Sequence, residues 1–166
     1  MLSLCVRILN LLICGGNMAE YKIRAFLDTN ILIDLLMEGR PGTVYANSIF
    51  QAAKGGHVEV FLTTQSFIDA EYVLSHSPAF NRERVFDAML KLMGYANVGH
   101  IFWIDIRNAI LNFSGDFEDD AQFSNACFEG CDVIVTADKE FLHRKVSEGP
   151  MVLTPKEFVE RLTNGQ

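Results

Sequence analysis

Two short apolar runs, each ending in an aspartate, constrain this chain more than any other feature. The first is Arg24-Ala25-Phe26-Leu27-Asp28 and the second, far downstream, is Val133-Ile134-Val135-Thr136-Ala137-Asp138. Short apolar runs bounded by polar turn chemistry predict fully buried strands. Strands buried on both faces belong to a parallel sheet covered by helices. Each run then delivers a carboxylate at or just past its C-terminal end. That edge of a parallel sheet is where open α/β folds bind ligands.

The rest of the chain alternates in the same way. Ile23–Leu27, Val58–Thr63, Val98–Ile104, Asp132–Thr136 and Met151–Leu153 read as strands. Asn30 reads as the N-cap of a helix to Met37, with Ile31, Leu32, Leu35 and Leu36 as its apolar stripe. Thr43–Lys54 predicts a second helix, stopped by Gly55-Gly56. Gln65–Ser75 predicts a third, with Phe67, Ala70, Val73 and Leu74 inward. Asn81–Met93 repeats Val85, Met89 and Leu92 at helical spacing. Ile106–Phe113, a helix opening at Asp116 and running to about Glu129, and a short Lys139–Leu142 segment follow. Thr154-Pro155-Lys156-Glu157 is a capping box that begins a final helix. Strand–helix alternation throughout predicts an α/β fold with a mostly parallel central sheet covered on both faces.

Composition bounds the function. The 166 residues are 49% hydrophobic and 21% charged, with a formal net charge of −7. Such a chain folds, and its length suits one domain. Its acidic balance disfavours loose binding to phosphate backbones. It does not exclude a nuclease, because cations held by carboxylates neutralise them. The four cysteines, Cys5, Cys14, Cys127 and Cys131, form no CxxC pair. They read as reduced structural thiols in a reducing, cytoplasmic setting. Cys127 and Cys131 are spaced to face each other along a helix. Met1–Cys14 is apolar with one charge, too short to span a bilayer and poor in the basic residues of a secretory signal. Residues 1–17 therefore read as an N-terminal extension, and 18–166 as a single domain without a membrane span.

The acids carry the chemistry. Asp28 and Asp138 each follow a buried run and require a cation or hydrogen-bond partner; the plain alternatives are a helix cap and a turn residue. Asp116, Glu118, Asp119 and Asp120 crowd a helix N-terminus, a place that favours acids through the macrodipole alone. Asp119 shares a face with Gln122 and Ala126, which pack inward, and Asp120 is rotated from it by about 100°. Asp119 is therefore the expected site residue of the run. Asp69 and Glu71 lie on the Gln65–Ser75 helix, and facing does not choose between them. Clustered carboxylates without His or Cys ligands suit Mg²⁺ or Mn²⁺, and so phosphoryl or phosphodiester chemistry. No Gly-rich phosphate loop is present.

Phe26-Leu27-Asp28-Thr29-Asn30-Ile31-Leu32-Ile33-Asp34-Leu35-Leu36 resembles the opening motif of PIN domains. Asp116 through Ala126, then Gly130-Cys131-Asp132 through Phe141, resembles that family's third and fourth motifs in order and spacing. With Tyr72-Val73-Leu74 in the middle, the resemblance covers Ile23 to about Leu162. It implies a three-layer α/β/α sandwich and a divalent-metal ribonuclease. Many relatives are toxins held by an antitoxin partner, and many are homodimers. The resemblance matches Asp28, Asp119 and Asp138 to family acids that hold metal, with Thr136 and Asn30 as polar neighbours. The second family acid, usually Glu, falls on Asp69, with Glu71 two residues away. Glu140 is a further contributor through water. Arg40, Lys139, Arg144 and Lys145 are basic residues near the rim that could guide RNA; the plain alternative is ordinary surface charge.

Three other readings compete. A haloacid-dehalogenase-like phosphatase needs a second acid two residues after the first, where this chain has Asn30. A receiver-like domain needs an acidic pair and a later strand-end lysine in an order not found. A PIN-like binding module without activity would bind no metal.

Overall fold

A computed structural model describes residues 22–144 and 148–164. The expectations for residues 1–17, for Cys5 and Cys14, and for Lys145 lie outside the described residues. Five strands form one sheet: β1 (Ile23–Leu27), β2 (Val58–Thr63), β3 (Ala96–Gly99), β4 (Val133–Val135) and β5 (Met151–Leu153). Their order is β3-β2-β1-β4-β5, and every pairing is parallel. The eight described helices are α1 (Thr29–Leu36), α2 (Thr43–Lys54), α3 (Thr64–Ser75), α4 (Arg82–Leu92), α5 (Trp103–Leu111), α6 (Phe117–Phe128), α7 (Lys139–Leu142) and α8 (Pro155–Asn164).

The strand alternation explains the two-sided core. In β1, Ala25 and Leu27 face one way and Phe26 the other, as a period of two requires. Ala25, Leu27, Val60, Leu62, Val133 and Val135 join the larger cluster, completed by Ile31, Leu32, Ile49, Phe67, Leu74, Val85 and Phe158 from α1, α2, α3, α4 and α8. Phe26, Phe61 and Ile134 join the smaller one with Ala126 of α6, Cys131 and Phe141 of α7. Two helical layers therefore enclose the sheet, as the sandwich reading requires.

The topology decides where a ligand goes. From β1 the chain moves outward to β2 and β3, then returns to pair β4 against the other side of β1. The direction of winding reverses between β1 and β4. At such a switch point the loops leaving the strand ends part and open a crevice. Asp28 and Asp138 stand at that opening, past the ends of β1 and β4. The sheet holds Asp28 there through its backbone N–H, which donates to the Val135 carbonyl at 3.0 Å.

Several local expectations are corrected. Strand β3 ends at Gly99 rather than Ile104, and α5 begins at Trp103 rather than Ile106. Phe102 is the N-cap, and its backbone N–H donates to the buried Asp105 carboxylate at 2.9 Å, so the chain turns helical there. The apolar residues from Trp103 onward line a helix surface instead of extending the sheet. Val73 faces solvent, leaving Phe67, Ala70 and Leu74 to bury α3. Cys127 and Cys131 do not share a helix, because Gly130, at φ 65°, ends α6 between them. Both thiols are free, and burial pushes the Cys131 thiol up to about 12, which makes it an inert packing residue. Among the described residues no helix is long and apolar enough to cross a membrane.

Candidate active site

Asp28 occupies the N-cap position of α1, but its side chain makes no capping hydrogen bond. The carboxylate turns to the crevice instead, where Thr136 Oγ1 donates to its Oδ2 at 2.6 Å. The Asn30 amide donates to the same oxygen and to Thr136 Oγ1, and Asn30 Oδ1 accepts from the Ala137 backbone N–H at 3.2 Å. Asn30 is therefore not the helix cap that its position suggested. It sits in the first turn and ties the end of β1 to the segment after β4. Asp28 is 6% exposed. Desolvation pushes its carboxyl above the usual range, and the Thr136 hydrogen bond offsets part of that.

Asp138 does cap a helix. Its Oδ1 accepts from the Glu140 and Phe141 N–H groups at 2.7 and 3.1 Å, which starts α7. Its N–H is held at 2.9 Å by Thr136 Oγ1, so one hydroxyl orients both acids. The cap and the site reading are compatible, because among the described residues only Oδ1 accepts hydrogen bonds and Oδ2 accepts none.

Asp116 plays the same role for α6, accepting from the Glu118 and Asp119 N–H groups at 2.8 and 3.1 Å. This leaves Asp119 to project from the first turn. Burial is the main cause that lifts its carboxyl from 3.8 to about 7, followed by the charges of Asp28, Asp116, Asp138 and Glu118. Asp28, Asp119 and Asp138 are thus brought into one field from three chain segments. Glu118 is raised as well, by desolvation first and then by Asp69 and Asp28. Asp69 accepts from Gln65 Nε2 at 2.8 Å and lines a cleft with Glu118. Glu71 lines no part of that cleft. Glu140 is exposed and borders a second cleft, of about 570 Å³, with Asp116 and Asp119. Among the described residues, no three acid, His or Cys side chains form a ready-made metal cage.

The interior acid of the run is Asp120, not Asp119. Asp120 is 2% exposed and forms an ion pair with Arg144. The Ser114 N–H and Oγ each donate to it at 2.7 Å. Arg144 in turn lies 4.3 Å over the Phe123 ring. Arg40 pairs with the buried Asp34. Both arginines are held in ion pairs, while Lys139 is exposed and in none of the salt bridges among the described residues. Sequence carried no signal for Asp105, which is fully buried between α5 and α6. It accepts from Ser124 Oγ at 2.9 Å and Asn125 Nδ2 at 3.0 Å. Glu118 entered only as one of four crowded acids. Its spacing of four from Gln122, whose Nε2 donates to it at 3.0 Å, was the available clue.

The five-stranded parallel sheet has known counterparts. The PIN domain profile matches residues 24–140. The chain belongs to the PIN domain family. It is 23% identical over 143 residues to Ribonuclease VapC1 of Aquifex aeolicus, covering 83% of this chain and 94% of that protein. Mycobacterium tuberculosis VapC20, a sarcin-ricin loop cleaving toxin, superposes with a TM-score of 0.57 at 16% identity, over 76% of this chain and 99% of VapC20. A toxin–antitoxin complex from Klebsiella pneumoniae gives a TM-score of 0.56 at 19% identity, over 79% of this chain and 97% of that one.

Proposed function

We propose that this protein is a divalent-metal-dependent endoribonuclease and the toxin of a toxin–antitoxin pair, acting in the cytoplasm. The observation that supports the reading is the electrostatic effect of Asp28 and Asp138 on Asp119, with no cation paired to the three among the described residues. A carboxyl held up to about 7 by burial and neighbouring acids is one that a cation would ionise. The donors are all oxygen, which suits Mg²⁺ or Mn²⁺. Mg²⁺ keeps several waters and needs only one or two protein carboxylates, so an open cluster fits it better than a closed cage. When bound, such an ion supplies a hydroxide nucleophile and stabilises the charge developing on a phosphate.

The chain's own residues set the stage. Asp28, Asp119 and Asp138 hold the cation, and Asp69 is the fourth acid, favoured over Glu71 by its place beside Glu118. Thr136 and Asn30 fix the Asp28 carboxylate, and Thr136 also fixes the Asp138 backbone. Glu140 stands at the rim, placed to act through water. Trp103, Ile110, Leu111 and Phe113 are each more than 60% exposed around α5. An apolar face of that kind fits a protein partner, an antitoxin or a second copy of the chain.

Cleavage of a structured RNA with Mn²⁺ or Mg²⁺ tests the reading. Asp28→Asn lowers the rate on the order of 10²–10³-fold, and a chelator stops the wild type. Undiminished cleavage by the variant overturns the assignment. A PIN-like binding module without activity is the result to read from RNA binding without cleavage at any metal concentration.

A further inference from the structure

The first turn of α6 supplies Asp119, and the start of α7 supplies Asp138. The spacing of the two acids depends on how one helix sits against the other. Phe141 of α7 packs with Phe123 and Ala126 of α6 in the smaller core cluster. Apolar contact of that kind is non-directional and tolerates a small slide. Arg144 supplies the direction. Its backbone N–H donates to the Phe141 carbonyl at 3.1 Å, which makes it part of the turn that ends α7. Its guanidinium reaches back to α6 at two places. Nη1 donates to Asp120 Oδ1, one residue after Asp119, and the guanidinium carbon lies 4.3 Å over the Phe123 ring. The Arg144 side chain is only 13% exposed, so water competes little for the pair. Asp120 also accepts from Ser114 Oγ on Oδ1 and from the Ser114 N–H on Oδ2, both at 2.7 Å. Ser114 lies two residues before Asp116, the N-cap that holds the Asp119 N–H. One carboxylate therefore ties together the entry loop of α6, its first turn and the end of α7.

We propose that Arg144 and Asp120 are positioning residues, whose ion pair sets Asp119 on α6 against Asp138 on α7 so that both carboxylates can hold one divalent cation. The inference rests on the cation site proposed above. Arginine suits the task, because its planar fork bonds a carboxylate in a fixed geometry where a lysine supplies a point charge. The pair is neutral as a whole, so it acts on the site acids by place more than by charge. Place matters, because Mg²⁺ demands near-ideal geometry at roughly 2.0–2.1 Å. Replacing a partner that orients metal ligands lowers metal affinity or activity on the order of 10–100-fold.

The test separates place from stability. Arg144→Met alone leaves the Asp120 charge buried and unpaired. Asp120→Asn combined with Arg144→Met removes both charges, and the new amide oxygen still accepts from Ser114. Replacing both members of a buried pair is often neutral for stability, so the double variant regains most of the Tm that Arg144→Met loses. Its affinity for Mn²⁺, measured by calorimetry without RNA, stays about 10-fold weaker than that of the wild type. In RNA cleavage kcat falls by about the same factor, with KM within about 2-fold. Mn²⁺ binding weakened by less than about 3-fold overturns the clamp and leaves the pair a structural one. A raised KM with kcat and Mn²⁺ affinity unchanged overturns it in favour of an Arg144 contact to RNA. If the double variant does not fold, Arg144→Lys decides, because it keeps Asp120 paired without the fork. Mn²⁺ binding weakened by about 3-fold or more in that variant supports the clamp, and a smaller change overturns it. Cleavage is scored separately. Mn²⁺ binding that depends on the pair, in a protein that cleaves no RNA, keeps the clamp and removes the nuclease. RNA cleavage with Mn²⁺ affinity indifferent to the pair removes the clamp and keeps the nuclease. A wild type that binds no Mn²⁺ removes the clamp together with the cation site.

Discussion

Asp119 and Asp120 are neighbours in sequence and opposites in environment. Asp120 is buried, yet Arg144 and Ser114 answer its charge and hydrogen-bonding capacity in full. Asp119 is half-exposed, yet the charged groups that act on it are other acids. The same contrast divides the whole molecule. Asp34 and Asp105 are interior acids with Arg40, or with Ser124 and Asn125, as their partners. Asp28, Asp119 and Asp138 gather at the sheet edge with hydroxyls, amides and each other. Burial therefore does not mark the site. What marks the candidate site is that several acids act on one another there with no cation paired to them among the described residues, whereas Asp105, also without a cation, stands alone among hydroxyl and amide donors.

The contrast breaks first on stability. Arg144→Met leaves the Asp120 carboxylate buried with only Ser114 to answer it. Removing one partner of a buried pair costs about 3–5 kcal/mol, which denaturant unfolding reads directly. A loss under about 1 kcal/mol would show that solvent reaches Asp120, and the division into two kinds of acid would fail. The next effect sharpens the site side. Asp69→Asn lowers cleavage by about 10-fold, about 1.4 kcal/mol, whereas Glu71→Gln stays within about 2-fold. The reverse ranking would move the fourth acid to Glu71.

The smallest effect is a dependence on pH in the metal-free protein. Asp119 has a folded pKa of about 7 against 3.8 in the ordinary range. Between those values the native state holds a proton that the unfolded chain has released. Stability from this group is therefore present at low pH and falls as pH rises through that window. With chelator present, the wild type loses Tm between about pH 5.5 and about pH 8, and Asp119→Asn loses less. Equal losses in the two proteins would show that Asp119 is solvated and carries no such burden.

Much of this was legible in the sequence, and the reasons are local. An apolar run ending in an acid reports both a buried strand and its C-terminal carboxylate, so β1, β4, Asp28 and Asp138 could be read directly. Thr136 was legible for the same reason. The facing of α6 was not, because it depends on Arg144 and Ser114, which lie outside that helix. Nor was the end of β3. Ile101, Trp103 and Ile104 look like strand residues until the buried Asp105 is seen holding the Phe102 N–H. Asn30 was legible as a polar neighbour of Asp28 but misread as a cap, since the amide that caps helices also bridges Asp28 and Thr136.

Calorimetric titration of Mn²⁺ into the metal-free protein near pH 7, in two buffers of different ionisation enthalpy, tests the central claim most directly. Uncompensated acids predict binding with release of part of a proton, because Asp119 must ionise to take the cation. Asp28→Asn and Asp119→Asn each weaken binding by about 10-fold or more, about 1.4 kcal/mol. No heat at millimolar Mn²⁺, or equal binding by both variants, would contradict the account.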